Sequence, residues 1–76
     1  PAQDLINVQF VSERSESGQF RILDMSGKLV KQENVNIQNG MNRFDLDLSQ
    51  LSEGIYIMFF ESASAQRGLT KVVIQE

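Results

Sequence analysis

The strongest constraint on this chain is the spacing of its apolar residues, which recur at every second position. Ile6, Val8 and Phe10 alternate with polar residues, and the alternation resumes at Phe20 and Ile22. Successive side chains of an extended strand point to opposite faces, so this period predicts strands with one buried face. No stretch keeps a helical period over three turns. The pattern therefore predicts an all-β chain.

Further strands are predicted downstream. Phe44, Leu46 and Leu48 alternate with acidic residues and indicate a half-buried strand. Residues 55–60 are apolar on both faces, and residues 69–74 form a closing strand. Asp45 and Asp47 alternate with Phe44, Leu46 and Leu48 and therefore share the other face of that strand. We predict that both carboxylates are solvated.

Turn signals separate these runs. Asp24 to Lys28, which contains Gly27, predicts a tight turn, and Asn39-Gly40 is a strong hairpin dipeptide. Residues 12–18 are polar and predict a loop. The run 29–37 is broken by polar residues at 31–34, which indicates a bulge or a bend between two sheets. One glycine per turn is predicted, at Gly18, Gly27, Gly40, Gly54 and Gly68.

Six to seven short strands, separated by turn signals at about 8–12 residues, are typical of an antiparallel sandwich. We therefore predict a small antiparallel immunoglobulin-like or fibronectin-like β-sandwich formed by a single domain, residues 1–76. The residues expected to face its core are Ile6, Val8, Phe10, Phe20, Ile22, Phe44, Leu46, Tyr56, Met58 and Phe60.

Composition removes several classes of partner. The 76 residues carry a net charge of −3 and contain no basic stretch, which argues against nucleic acid and anionic membranes. There is no apolar run of about 18 residues, so no membrane-spanning helix is expected. The sequence opens at Pro1-Ala2, without Met or a signal-peptide pattern. We interpret it as a piece of a longer polypeptide.

The missing residue types remove most chemistry. The chain has no Cys, His or Trp. Thiol nucleophiles, Cys/His zinc sites and Ser–His pairs are therefore excluded. The glycines are never clustered as in a phosphate-binding loop. We expect no catalytic residue, no metal and no cofactor, and hence no enzymatic activity in this chain.

Tyr56 allows two structural interpretations. It follows a Leu-containing corner, which is where immunoglobulin-like sandwiches form a tyrosine corner, with the hydroxyl bonded to upstream backbone. Alternatively, Tyr56 is a core aromatic whose hydroxyl reaches solvent.

Ile55, Ile57 and Phe59 form an apolar stripe on the strand face opposite Tyr56. An outward apolar patch on a small domain often marks a contact site. The stripe therefore predicts weak self-association, centred on Ile57 and Phe59. The alternative is that neighbouring loops of the same chain cover it.

The run from Phe20 to Val30 resembles the central signature of the type A C-terminal sorting domain of the type IX (Por) secretion system. That signature is an amphipathic strand followed by Asp-x-x-Gly-Lys, an apolar residue and Val. The remaining family-like pieces follow in order: Asn39-Gly40, Asp47-Leu48-Ser49-x-Leu51-x-x-Gly54-x-Tyr56, and Lys71 with apolar residues after it. In this resemblance Asp24, Gly54 and Tyr56 are structural motif residues. The sequence departs from the family at Phe59, which is commonly polar, and at Glu76, where a basic end is usual.

The resemblance implies a function without catalysis. Such domains lie at the C-terminus of cargo proteins in Bacteroidetes-type bacteria. After Sec-dependent export to the periplasm, an outer-membrane translocon recognises them, and a sortase-like surface protease then removes them. The implied partners are thus translocon components and that protease, and the implied destination is the cell surface or the medium.

Gly27, Lys28 and Lys71 are the predicted recognition residues, because exposed charge and backbone are accessible to a receptor. Turn geometry and solubility are the alternative explanations for these three residues. The competing function is a fibronectin-like or immunoglobulin-like spacer or adhesion module of an extracellular enzyme. A carbohydrate-binding module is a weaker candidate, because most of the chain's few aromatics alternate into the core.

Overall fold

The computed structural model describes residues 5–75, so the opening Pro1-Ala2 and the departure from the family at Glu76 lie outside the described residues. The strands are β1 (Leu5–Ser12), β2 (Glu16–Asp24), β3 (Leu29–Ile37), β4 (Gly40–Asp47), β5 (Gly54–Ser62) and β6 (Arg67–Ile74). They form a two-stranded sheet, β1-β4, and a four-stranded sheet of order β3-β2-β5-β6, with every pairing antiparallel. The predicted fold class is confirmed. No helix that could cross a membrane occurs within residues 5–75.

The core lies between the two sheets. Ile22 from the larger sheet and Leu46 and Leu48 from the β4 side are at most 2% exposed. Four phenylalanines, one each from β1, β2, β4 and β5, extend the core, with ring centroids 5.0–5.9 Å apart. The buried apolar residues are Phe20, Ile22, Ile37, Leu46, Leu48, Tyr56, Met58, Val72 and Ile74.

The predicted core set is incomplete for a geometric reason. A sheet of two strands cannot cover a sheet of four, so Phe10, Phe44 and Phe60 are only half-buried although they face inward. The gap beside the β1 edge is a groove of about 320 Å³, lined in part by Phe10 and Phe60. Ile37, Leu48, Val72 and Ile74 are buried but were not in the predicted set.

The hairpin predicted at Asn39-Gly40 is wrong. The strands that flank it, β3 and β4, lie in different sheets, so these two residues belong to a connection between the sheets. The buried side chain of Asn42 closes this connection. Its oxygen accepts the Gln38 N–H at 2.9 Å, and its amide donates to the carbonyl oxygens of Gln38 and Gly40 at 2.9 and 3.1 Å.

The bulge or bend predicted at residues 31–34 is displaced to their edge, since β3 runs through them as one strand. The irregularity is a bulge at the neighbouring position, where the register of β2 against β3 shifts between Ile22 and Leu23. The polar run is compatible with a strand because β3 is an edge strand of the sheet.

The prediction of one glycine per turn was mostly wrong. Gly18 lies inside β2, which starts at Glu16, so the loop predicted over 12–18 is only residues 13–15. An added Cβ at Gly18 would lie 2.7 Å from Ile37 Cδ1, and close packing therefore explains this glycine. Gly40 and Gly54 begin strands, and Gly68 lies within β6.

Candidate functional site

The turn between β2 and β3 is organised by one carboxylate. Asp24 Oδ1 accepts hydrogen bonds from the Ser26 N–H at 2.9 Å, the Ser26 hydroxyl at 2.6 Å and the Lys28 N–H at 3.0 Å. The backbone closes the turn with Gly27 N–H to Asp24 O at 3.0 Å and Asp24 N–H to Lys28 O at 2.9 Å. Gly27 has φ +89°, a conformation that L side chains rarely adopt. Turn geometry therefore explains both Asp24 and Gly27.

These hydrogen bonds favour the ionised form of Asp24. Those from Ser26 and from the Lys28 backbone, with the nearby Lys28 charge, hold the pKa of Asp24 below its usual value of 3.8. The turn is thus held by a carboxylate at neutral pH. The side chain of Lys28 is left exposed beside it.

A second structured corner follows β4. The Leu51 N–H donates to Leu48 O at 3.0 Å, and the Tyr56 hydroxyl donates to Ser52 O, four residues upstream, at 2.6 Å. Tyr56 is buried, and an added Cβ on Gly54 would lie 3.7 Å from its ring. This is the geometry of a tyrosine corner, and it decides between the two interpretations of Tyr56.

Asp47 anchors the start of this corner. Its carboxylate accepts the Ser49 N–H at 2.9 Å. The hydroxyl and the backbone of Ser49, together with the charge of Lys31, lower the pKa of Asp47 below its usual 3.8. Asp45, its neighbour on the same face, accepts a 2.8 Å hydrogen bond from the amide of Asn7. Both side chains are exposed, as predicted.

The register brings these separated pieces together. Asp24 pairs with Tyr56, and Tyr56 pairs with Val72, so the turn, the corner and the second half of β6 lie side by side across the larger sheet. Lys71 is exposed next to this row. We call this region, formed by the 24–28 turn, the 48–56 corner and Lys71, the motif end. Asn39-Gly40 lies at the other end of the sandwich, where β4 starts opposite Ser12.

The family model described as "Secretion system C-terminal sorting domain" matches residues 1–75 of this chain. The chain belongs to this family. Its resemblance to type IX sorting domains is thereby confirmed, and the domain is a type IX secretion C-terminal sorting signal. Membership also implies that the protein carrying this sorting domain is exported through the outer membrane. No curated protein and no solved structure matches the chain.

Within residues 5–75 the sorting domain brings no three His, Cys, Asp or Glu side chains together in a way that could hold a metal ion. The Asp24 carboxylate of the motif end, and the Asp47 carboxylate directly before its corner, instead accept hydrogen bonds from their own turns. The positively charged side chains that face solvent there are Lys28 and Lys71, beside the exposed Gly27 backbone. The other exposed residues of the motif end are Met25, Ser26, Ser49, Gln50, Ser52, Glu53 and Ile55. This arrangement offers charge and shape to a partner.

Sequence reasoning missed two polar residues that hold the other end of the sorting domain. Asn42 has already been described. Glu16 accepts hydrogen bonds from the Ser64 N–H at 2.9 Å, the Ser64 hydroxyl at 3.0 Å and the Gln66 amide at 2.7 Å. The partners of Glu16 are set by tertiary pairing, whereas those of Asn42 are only two and four residues away.

The stripe of Ile55, Ile57 and Phe59 faces outward from the larger sheet, because Tyr56 and Met58 face the core. Ile55 is 45% exposed, while Ile57 and Phe59 are half-buried between cross-strand neighbours. Self-association through this stripe stays a prediction.

Proposed function

We propose that this sorting domain is a non-catalytic address that directs its cargo through the type IX outer-membrane translocon, for attachment to the cell surface or release. In this proposal the motif end is what the translocon contacts, and Gly27, Lys28 and Lys71 provide the contact. A sortase-like surface protease then removes the domain. The cargo passes through the periplasm before it reaches the surface or the medium.

One observation carries this proposal: family-like pieces that lie far apart in the sequence meet at one end of the sandwich. Asp24 and Tyr56 are register partners although 31 residues separate them in the printed numbering. Asp24 and Tyr56 hold the motif end in shape through their hydrogen bonds, and the side chains of Lys28 and Lys71 remain exposed on it. A spacer module has no need for two accessible cations on one rigid, multiply bonded surface.

Export of a reporter tests the proposal. The reporter should carry a Sec signal peptide at its N-terminus and this domain at its C-terminus, in a host with a type IX system. We expect reporter on the cell surface or in the medium. Reporter that stays in the periplasm with an intact domain attached would contradict the proposal and favour the spacer function.

Lysine variants test the role of the motif end. Lys28→Ala and Lys71→Ala should each lower export, and the double variant should lower it most. Arg43→Ala is the matched control, because Arg43 is an exposed cation on β4, in the other sheet. Changes at exposed side chains typically alter stability by less than about 0.5 kcal/mol, so the fold should survive in all variants. Export that is equal in the double variant and the control would remove both lysines from the recognition site.

A further inference from the structure

The solvent-facing side of the larger sheet, which we call the outer face, is unusually apolar for a small domain. Ile55, Leu69 and Val73 are 45%, 66% and 48% exposed there. They adjoin Ile57 and Phe59, because Ile55 pairs with Val73 and Phe59 pairs with Leu69. Contiguous exposed apolar side chains of this kind mark interaction sites more often than isolated ones do.

The outer face is also cationic, in a chain of net charge −3. Among the described residues of β2, β5 and β6 on this face, the basic side chains are Arg21, Arg67 and Lys71, and the one acidic side chain is Glu61. Three positive charges and one negative charge leave the face at +2. Arg67 lies 3.2 Å from the Glu61 carboxylate and Arg21 lies 4.0 Å from it, so both arginines share one carboxylate.

The outer side of the smaller sheet lacks this combination. Its exposed apolar residues, Leu5, Val11 and Met41, lie near the strand ends. Between them Asn7 bonds to Asp45, and Arg43 is balanced by acidic neighbours on β4. The two sides of one sandwich therefore differ in both polarity and charge, and the smaller sheet provides an internal control.

We propose that the outer face is a docking surface for an acidic, partly apolar surface of another protein, and that this contact adjoins the one made by the motif end, with which it shares Ile55 and Lys71. Charge complementarity selects the partner, because two copies of a +2 face repel each other and an unlike acidic surface is attracted. The free edge of β6 points to a polypeptide, since β6 pairs with β5 alone among the described strands and offers backbone groups along its other side.

This inference rests on the proposed function, because the partner is sought among proteins met during type IX export. Its test uses the same reporter fusion with three single variants. Leu69→Glu and Leu69→Lys place a negative or a positive charge on the edge strand of the outer face, β6, where Leu69 pairs with Phe59. Val11→Glu is the matched control, since Val11 is 69% exposed on the smaller sheet.

We expect Leu69→Glu to lower export by about tenfold or more, which is the loss typical of a hot-spot residue in a protein interface. Leu69→Lys should lower it less, because lysine attracts an acidic partner, and Val11→Glu should leave it unchanged. Circular dichroism of each purified domain verifies that the fold is retained. If the unaltered domain fails to export the reporter, the proposed function fails; if it exports and all three variants do so equally, only this inference fails.

Cross-linking in the same cells identifies the class of partner. A photoreactive residue at position 69 should give a product with another protein, and the product should disappear when Lys71→Glu is added, because that change reverses a positive charge of the outer face. A photoreactive residue at position 11 should give no such product. A product of twice the fusion's mass would identify a second copy instead and overturn the proposal. Absence of any protein product would also overturn the proposal. Co-sedimentation of the domain with phosphatidylglycerol vesicles would then identify a lipid surface as the partner.

Discussion

The hydrogen bonds at the motif end join residues that are close in the chain, whereas the opposite end combines local bonds, from Asn42 to Gln38 and Gly40, with bonds between residues that are far apart. Asp24 bonds to Ser26 and Lys28, and Tyr56 bonds to Ser52. At the opposite end, Glu16 bonds to side chains 48 and 50 residues away, and Asn39 N–H donates to Ser15 Oγ, 24 residues away.

This difference bears on how each end forms. Local hydrogen bonds need few other contacts, so the turns of the motif end can form before the sandwich is complete. The opposite end needs β2, β5 and β6 to be paired first, because only that pairing brings Glu16 to the 63–66 loop. Because its turns are held by local hydrogen bonds, the motif end can present a defined surface to a partner. The following predictions test this contrast.

The largest effect is expected at the opposite end. Asn42→Ala removes three hydrogen bonds at a buried side chain and leaves the Gln38 N–H and C=O without their partner. Leaving such groups unsatisfied costs about 1–3 kcal/mol. Urea denaturation should show this loss. Asn7→Ala, on an exposed asparagine, is the control and should cost under about 0.5 kcal/mol.

Gly27→Ala tests the turn of the motif end. At φ +89° an L side chain is strained by about 1–2 kcal/mol, although nothing within 4 Å would contact the new Cβ. The expected destabilisation is therefore due to backbone conformation alone. Gly68→Ala is the matched control, because Gly68 also has open space and does not have a positive φ. Equal stabilities for the two variants would contradict the conformational explanation.

Tyr56→Phe tests the corner. It removes the hydroxyl that donates to Ser52 O and keeps the buried ring, so we expect a loss of about 0.5–1.5 kcal/mol, the net value of one hydrogen bond. Thermal denaturation measures it. A midpoint unchanged from that of the parent domain would show that the hydrogen bond contributes nothing and that packing alone holds the ring.

The smallest expected effect is a loss of folding stability at acid pH. Burial raises the pKa of Glu16, but the hydrogen bonds from Ser62, Ser64 and Gln66 outweigh it and bring the pKa below its usual 4.5. A lowered folded-state pKa stabilises the fold fully above the usual value, and the stabilisation is lost as the pH falls through the folded value.

Stability should therefore decline below about pH 4.5, where Glu16 starts to take up protons when unfolded. Glu16→Gln should make this decline shallower and should speed hydrogen exchange at the Ser64 amide, its backbone partner. Asp24→Asn should likewise make the loss of stability with falling pH shallower, but it should speed hydrogen exchange at the Lys28 amide instead. Faster exchange at both ends in either variant would show that the two ends are not independent.

Much of the fold was predictable because period-two alternation is a local property. It located β1, β2 and β4 and most inward-facing residues, including Phe20, Ile22 and Leu46, while the largely apolar runs at 55–60 and 69–74 located β5 and β6. The turn at Gly27 was predictable for the same reason. The resemblance found the family because its pieces are read in order along the chain. It could not show that the pieces at Asp24 and Tyr56 are neighbours.

What the sequence determined by itself is therefore the set of strands, the tight turn at Gly27 and the family. The tertiary structure decided which sheet each strand joins, and this made Asn39-Gly40 a connection between sheets instead of a hairpin. It also decided the partners of Glu16 and placed Leu69 and Val73 beside the stripe on β5. The physical reason is that alternation fixes which way a side chain points within its strand, whereas its neighbours depend on pairings between residues distant in the chain.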